Sequence, residues 1–191
     1  GLLAQVNPGA ELTLNFDATK GAGDLYANDE GVPGKLWFNL RNGSELAGAV
    51  TNATAATLDA TSLWSVTGSS NVGSLSNAGS VSFAAPEAGV MKTLLVQGDY
   101  VGDNGRLVFN TALGGDASAT DHLVVQGSTS GNTAVVVNNA GGAGGQTANG
   151  IQLIRVDGAS DGVFALDGRV VAGAYEYGLH QGGVTTPNDG D

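Results

Sequence analysis

TLLVQGDYVGDNGRLVFN at residues 93–110 and HLVVQGSTSGNTAVVVN at residues 122–138 are two copies of one unit. Val96-Gln97-Gly98 in the first copy recurs as Val125-Gln126-Gly127 in the second, 29 residues later. In each copy a short β-branched run leads through a polar turn into a second β-branched run, with no helical pattern between the copies. A strand-turn-strand unit repeated at this period predicts a solenoid of stacked strands.

The rest of the chain shows the same pattern less regularly. Val66-Thr67-Gly68 precedes Val96-Gln97-Gly98 by 30 residues, which predicts a third copy of the unit. Further strands are expected at residues 11–16, 35–40 and 44–50, because apolar and polar residues alternate in the first two, as in half-buried strands. With rungs of ~25 residues, typical of such repeats, the chain would form roughly seven.

Composition supports an ordered all-β protein. Glycine accounts for 32 of the 191 residues, and only 13% are charged. Because 41% are apolar and lie in short runs, the low charge does not indicate disorder. The formal net charge of −11 makes nucleic acid and anionic polysaccharide improbable partners, since both are polyanions.

Several features fit an exported chain. There are no cysteines, which suits a protein that must stay unfolded while it crosses a membrane. No run approaches the ~18 apolar residues of a membrane helix. The sequence starts at Gly1 without a signal peptide, and we interpret it as a mature or excised fragment of a larger protein.

No pattern in the sequence indicates an enzyme, a cofactor or a metal centre. His122 and His180 are far apart and lie outside any metal-ligand spacing. The motif GSTSG at 127–131 has Thr129 where a nucleophile elbow needs serine, and a strand rather than a helix follows it. Three loose carboxylate pairs are best explained as turn caps, with weak calcium binding and acid–base catalysis as alternatives. They are Asp99 with Asp103, Asp116 with Asp121, and Asp157 with Asp161.

The C-terminal part differs from the repeat. AGGAGGQTANG at residues 140–150 predicts a loop that protrudes from one corner. The last ordered element is expected at residues 169–179, and the aromatic residues Phe164, Tyr175 and Tyr177 there suggest a cap over the solenoid end.

The stretch from Trp64 to Gly183 resembles the C-terminal, pertactin-like segment of bacterial autotransporter passengers. The matching motifs are WSVTG at 64–68, LSNAG at 75–79, VQGDYVG at 96–102, GRLVFN at 105–110, GDASATDHLV at 115–124, GIQLI at 150–154 and GRVVAGAYEY at 168–177. The resemblance implies a right-handed parallel β-helix with a C-terminal β cap. It also implies a passenger on the bacterial cell surface or secreted, linked to an outer-membrane β-barrel, whose C-terminal segment acts as an autochaperone for its own N-terminal rungs.

The resemblance also divides the chain and suggests roles for residues. Residues 1–60 would be rungs of the passenger stem, 61–183 the β-helix with its autochaperone cap, and 184–191 the start of the linker toward the barrel. Large side chains would stabilise the nucleus and glycines would allow tight corners. The candidates are Trp64, Tyr100, Leu107, Phe109, Phe164, Tyr175 and Tyr177, with Gly98, Gly105, Gly127 and Gly173.

Two other functions stay open from the sequence alone. The first is an adhesin module that binds a host surface or self-associates through an Asn- and Thr-rich face of the solenoid. The second is a polysaccharide-active β-helix enzyme, for which the carboxylate pairs are the only motivation.

Overall fold

The structure is a computed structural model that describes residues 1–185. It is an all-β parallel β-helix with no helix among the described residues. Over residues 1–185, twenty strands make seven rungs and a final hairpin. The strands of rungs 1–4 are β1 Leu2–Val6, β2 Glu11–Asp17 and β3 Lys20–Ala22; β4 Asp24–Ala27, β5 Lys35–Arg41 and β6 Glu45–Ala47; β7 Val50–Thr51, β8 Ala55–Leu58 and β9 Leu63–Val66; and β10 Ser70–Val72, β11 Leu75–Asn77 and β12 Ser80–Phe83.

Rungs 5–7 contain fewer but longer strands. They are β13 Thr93–Val96 and β14 Tyr100–Thr111; β15 His122–Val125 and β16 Thr129–Asn139; and β17 Ile154–Val156 and β18 Val163–Leu166. The hairpin consists of β19 Val170–Ala172 and β20 Tyr175–Tyr177. The predicted number of rungs and the strands predicted at 11–16 and 35–40 are confirmed. The single strand predicted at 44–50 is wrong, because the chain turns a corner there and forms β6 and β7 on different faces.

Parallel pairing between rungs builds three faces. The first face contains β1, β4 and β7, followed by β10, β13, β15 and β17. The second face runs β2-β5-β8-β11, and the third runs β3-β6-β9-β12. Both faces continue into β14, which bends between Asp103 and Gly105 and so contributes one half to each face. Strand β16 pairs with β14 over eleven positions, the longest ladder among the described residues.

Most of the core is one apolar column inside the three faces. Leu36, Phe38 and Leu40 of β5 point inward and are fully buried, while Trp37, Asn39 and Arg41 point outward. Strand alternation explains this pattern, since successive side chains lie on opposite faces of a sheet. The ring of Phe38 packs edge-on against Trp64 at 5.3 Å, and Phe83 stacks on Phe109 at the same distance.

Rung length varies along the chain, and this corrects the predicted third copy of the repeat. Paired residues are 18 apart between Phe38 and Ala56 but 31 apart between Leu123 and Ile154. Val96 is in register with Val125 and with Val72, whereas Val66 lies on the third face. The assignment of Val66 was wrong because the rung before Val96 is shorter: Val96 pairs with Val125, 29 residues later, but with Val72, 24 residues earlier.

The 140–150 segment contains no strand, as predicted, but the prediction that it protrudes is wrong. The amide of Gly144 donates to Leu113 O at 3.0 Å, and the amide of Gly145 donates to the Tyr177 hydroxyl at 2.9 Å. The segment is therefore packed between the loop after β14 and the final hairpin. Its glycines allow this, because a Cβ at Gly142 or Gly144 would overlap neighbouring backbone.

A polar turn closes the second face in rung 3. The Asp59 carboxylate accepts hydrogen bonds from the Ser62 hydroxyl at 2.7 Å, the Asn42 amide at 2.6 Å and the Thr61 amide at 3.0 Å. These bonds lower the pKa of Asp59 from its ordinary value of 3.8 to about 2, and the Ser62 hydroxyl contributes most to the shift.

The lowered pKa predicts how Asp59 contributes to stability at different pH values. The contribution is complete above the unfolded-state pKa near 4 and disappears as the pH falls through the folded-state pKa near 2. We therefore expect wild type to be more stable than Asp59→Asn at pH 6, with the difference narrowing between pH 4 and 2. Urea denaturation of both proteins across this range measures the difference, and a pH-independent difference would contradict the prediction.

Candidate functional site

A buried carboxylate connects rungs 5 and 6. Asp121, directly before β15, is fully buried. Its Oδ1 accepts a hydrogen bond from the Lys92 amide at 2.7 Å, and its Oδ2 accepts bonds from the Asn110 amide and the Asn110 side chain, both at 2.8 Å. The carboxylate therefore ties the start of β13 to the end of β14 at the corner where β15 begins.

The partners of Asp121 continue this network to rung 4. Lys92 is 7% exposed, and its ammonium donates to Ala84 O at 2.8 Å and to Ala85 O at 3.3 Å. The Asn110 side chain also donates to Phe83 O at 3.0 Å. Buried charges are tolerated when they are hydrogen-bonded, so we interpret these contacts as a polar clamp, formed by Lys92, Asn110 and Asp121.

A second network lies inside the column. The Tyr100 hydroxyl is 2.9 Å from the Thr133 hydroxyl and accepts a bond from the Asn77 side chain at 3.3 Å. Burial raises the pKa of Tyr100 above the ordinary value for tyrosine. The Tyr100 ring lies 5.8 Å from the Phe164 ring, so side chains of rungs 4, 5, 6 and 7 meet at Tyr100.

Four glycines form one corner of the solenoid in consecutive rungs. Gly98 donates its amide to Gly73 O at 2.6 Å, Gly127 to Gly98 O at 3.0 Å, and Gly158 to Gly127 O at 3.0 Å. A Cβ at Gly127 would lie 2.5 Å from the carbonyl of Gly98. The rungs can stack at their normal separation here only because no side chain projects between them.

The hairpin β19–β20 caps the C-terminal end. It is antiparallel, turns at Gly173 with a φ of +57°, and carries an Arg169–Glu176 pair with bonds of 2.8 and 3.1 Å. This pair raises the pKa of Arg169 and lowers that of Glu176. Val170 and Ala172 form a small second cluster with Leu113. Val137 and Ile151 pack against both this cluster and the main column, so the hairpin covers the end of the column.

Tyr177 fastens the hairpin to the two loops beneath it. Its hydroxyl accepts a bond from the Gly145 amide at 2.9 Å and lies 3.0 Å from both Gly114 O and Gly145 O. Asp116 joins the same two loops, because its carboxylate accepts bonds from the backbone amides of residues 148, 149 and 150. These amide donors lower the pKa of Asp116, with the Asn149 amide contributing most.

We expect Tyr177→Phe to lower the free energy of unfolding by about 1–2 kcal/mol, because the half-buried Gly145 amide loses its acceptor. Tyr175→Phe removes a hydroxyl from an exposed side chain of the same strand and should change stability little. Chemical denaturation of both variants measures the difference. Equal effects would show that the Tyr177 hydroxyl does not fasten the hairpin.

The structure brings most of the predicted nucleus residues together in rungs 5 to 7 but places Trp64 elsewhere. Tyr100, Leu107 and Phe109 are fully buried in β14, with Gly105 at its bend, and Phe164 in β18 contacts Tyr100. Trp64 belongs to rung 3, where it packs on Phe38 and donates to Gly48 O at 3.1 Å. Trp64 is therefore remote from the cap.

Tyr175 is 43% exposed and lies over Gly144, so it adds little to the core.

Residue 60, the domain boundary predicted from the sequence, falls between β8 and β9 within rung 3. Of the segment 184–191, residues 186–191 lie outside the described residues.

Sequence reasoning missed the buried polar residues. Asp121 was considered only as a possible partner of Asp116, whereas the two carboxylates bind different backbone amides. Lys92, Asn110, Asn77 and Thr133 were not singled out. One signal was present, since Lys92 and Asp121 each stand immediately before a four-residue apolar strand, where a charged side chain is easily enclosed.

The described residues contain no group of three or more His, Cys, Asp or Glu side chains that could hold a metal ion. Asp99 accepts a bond from the Ser128 amide at 2.8 Å, and Asp157 pairs with Arg155 at 3.0 Å. Across residues 1–185, no helix is long and apolar enough to cross a membrane.

A known protein family matches the part of the chain that contains the clamp and the cap. The model of the family Autochaperone Domain Type 1 matches residues 70–179, from the first residue of β10 to just beyond β20. The chain belongs to this family. The autochaperone match thus contains four complete rungs, the polar clamp and the capping hairpin. It excludes Trp64.

Known relatives agree with this family. The Adhesin BmaC autotransporter of Brucella suis biovar 1 (strain 1330) is 50% identical over 107 residues, which are 52% of this chain and 3% of that protein. The uncharacterized protein YdeU of Escherichia coli (strain K12) is 57% identical over 90 residues, 47% of this chain and 19% of the relative. The autotransporter adhesin AIDA-I of Escherichia coli is 47% identical over 98 residues, 50% of this chain and 8% of the relative.

The chain spans only 3% to 19% of the length of these relatives. Together with the family match, they show that it is a segment of an autotransporter passenger with an autochaperone region. It therefore belongs to an exported, cell-surface or outer-membrane-associated protein.

Proposed function

We propose that the autochaperone segment folds as a stable nucleus on the cell surface and templates the folding of the passenger rungs N-terminal to it. The observation that carries the proposal is the set of contacts that close and join the C-terminal rungs. The C-terminal end is covered by a hairpin that two loops hold in place. Beneath it, the polar clamp and the Tyr100 network join successive rungs through buried side chains.

The first rung of the segment can act as a template for the rungs before it. Strands β11 and β12 of rung 4 pair in parallel with β8 and β9 of rung 3. Strands β8 and β9 pair in turn with β5 and β6 of rung 2. A rung that stacks on an existing one pairs its backbone groups and buries its inward side chains, so each addition would be favourable once a rung exists to add to.

The segment itself has the contacts expected of a nucleus. The eleven-position ladder of β14 with β16 is its most extensive pairing, and the polar clamp and the Tyr100 network connect rungs 4 to 7 through side chains. Starting a solenoid is costly because ordering the first rung gains no stacking partner. Contacts that join several rungs at once reduce this cost.

The order of folding tests the proposal. In pulse-labelling hydrogen exchange during refolding, we expect the amides of β14 and β16 to be protected before those of β2 and β5. Protection that begins in β2 and β5, or that is simultaneous in all rungs, would contradict the templating role.

We also propose that the passenger is attached to an outer-membrane β-barrel and that this segment has no catalytic activity. The attachment is supported by the autotransporter names of two relatives. The lack of catalytic activity is supported by the positions of the carboxylates. Asp99, Asp116 and Asp121 bind backbone amides and are not arranged in opposed pairs.

Adhesion is a second candidate function. Two relatives are named adhesins, and outward asparagines pair between rungs: the Asn39 side chain donates to Asn15 at 2.9 Å and the Asn71 side chain to Asn52 at 2.6 Å. Cell-binding and sedimentation assays on the purified chain test this function. A monomer that does not bind cells would count against it.

A further inference from the structure

A cleft of about 390 Å³ lies on the outside of the second face, at the N-terminal half of the solenoid. Strands β2, β5 and β8 pair in register there, so that Asn15, Asn39 and Thr57 form one row across three rungs. The cleft is lined by these three residues together with Arg41 and Asp59. It is separate from the clamp and the cap.

The cleft exists because its two charged side chains turn away from each other. Arg41 leans toward rung 1 and donates to Asn15 Oδ1 at 2.9 Å. Asp59 turns into its own loop, where it accepts bonds from Asn42, Thr61 and Ser62. The short side chain of Thr57 then leaves the space between them open.

The polar groups around this space are suited to hydroxyl groups. A guanidinium has five N–H donors, and the one described side-chain bond of Arg41 uses only one of them. One N–H of the Asn39 amide is bonded to Asn15, so Asn39 offers its second N–H and its side-chain oxygen. Asp59 Oδ2, whose one described bond comes from the Asn42 backbone amide, adds an acceptor. Donors and acceptors therefore alternate over a short distance, as recognition of vicinal hydroxyls requires.

An aromatic surface adjoins the polar groups. Trp37 precedes Asn39 by two residues, so its indole lies on the same outer face, about 7 Å along the strand. It is partly exposed, and its partners in register are the small residues Thr13 and Ala55. An indole with an accessible face can stack on the C–H surface of a sugar ring while nearby polar groups bind the hydroxyls.

Charge restricts the class of sugar. The cleft contains one cation and one anion, and the chain as a whole has a formal net charge of −11. Such a surface repels polyanions and offers no excess of positive charge to bind sulfates or carboxylates. We propose that the cleft binds a neutral oligosaccharide, with one ring stacked on Trp37 and its hydroxyls bound by Asn39, Arg41 and Asp59. This site is independent of the folding role proposed above.

The test is calorimetric titration of the full chain with cellohexaose, maltohexaose and chitohexaose, with a heparin hexasaccharide as the anionic comparison. We expect saturable binding of at least one neutral hexasaccharide, accompanied by a change in indole fluorescence. Trp37→Ala should weaken that binding by roughly tenfold or more. Trp64 is fully buried in the core and should not contribute to the change.

Two further variants separate binding from folding. Thr57→Gln fills the cleft at an exposed position and should weaken binding while leaving Trp37 in place. Tyr26→Ala removes a half-buried, outward aromatic of the same rung from the first face and should leave affinity unchanged. The proposal is overturned if no neutral hexasaccharide binds, if heparin binds more tightly, or if Trp37→Ala binds as wild type does.

Discussion

Replacement of Asp121 by alanine is expected to lower the free energy of unfolding by about 3–5 kcal/mol, which is a large part of the stability of an ordinary domain. Asp121 is fully buried and accepts three hydrogen bonds. Its removal leaves the backbone amides of Lys92 and Asn110 without their acceptor, while the Asn110 side chain keeps its bonds to Phe83 O and Ala84 O. Each unsatisfied buried donor costs about 1–3 kcal/mol.

Two variants make this result specific to the clamp. Asp121→Asn keeps the size of the side chain but directs an amide group toward donors, so it should recover only part of the lost stability. Asp103→Ala removes an exposed carboxylate from β14 and should change stability little. Urea denaturation of the three variants measures these differences. An Asp121→Ala protein within about 1 kcal/mol of wild type would show that the polar clamp does not hold rungs 5 and 6 together.

Gly127→Ala is expected to lower the free energy of unfolding by about 3 kcal/mol, at the upper end of overpacking effects. The new Cβ would lie 2.5 Å from both the carbonyl carbon and the carbonyl oxygen of Gly98. That carbonyl accepts the Gly127 amide at 3.0 Å, so the methyl group fits only if the two rungs separate and this bond lengthens. The effect arises from close approach between rungs.

Gly115→Ala is the matched control for this substitution. A Cβ at Gly115 would meet only Gln146 O, at the ordinary contact distance of 3.5 Å. We expect its free energy of unfolding to stay close to that of wild type. If the two variants were equally stable, the glycine corner would not be needed for stacking.

The sequence predicted the solenoid because strand alternation and the repeat are local signals. The strands at 11–16 and 35–40 and the final element at 169–179 were all expected, and β19 and β20 lie within the last of these. The alignment of Val66 failed for a physical reason. Rungs of different length have no constant period, since extra residues in rungs 5–7 enter loops at the corners without changing the strand register.

The 140–150 segment and the polar clamp show a second limit of predicting structure from the sequence. Glycine permits both flexible loops and close backbone packing, and the sequence does not distinguish these uses. The role of Asp121 depends on Lys92 and Asn110, which are 29 and 11 residues away. Such distant hydrogen bonds become visible only when the rungs are stacked.

The proposed templating role requires the autochaperone segment to be a self-sufficient nucleus. The most direct test compares residues 69–191, which begin just before β10, with residues 1–84, which end after β12, and with the full chain. Far-UV circular dichroism during urea denaturation follows all three. We expect 69–191 to unfold cooperatively with a midpoint close to that of the full chain, and 1–84 to be unfolded or much less stable. An unfolded 69–191 fragment, or a 1–84 fragment of equal stability, would contradict the account.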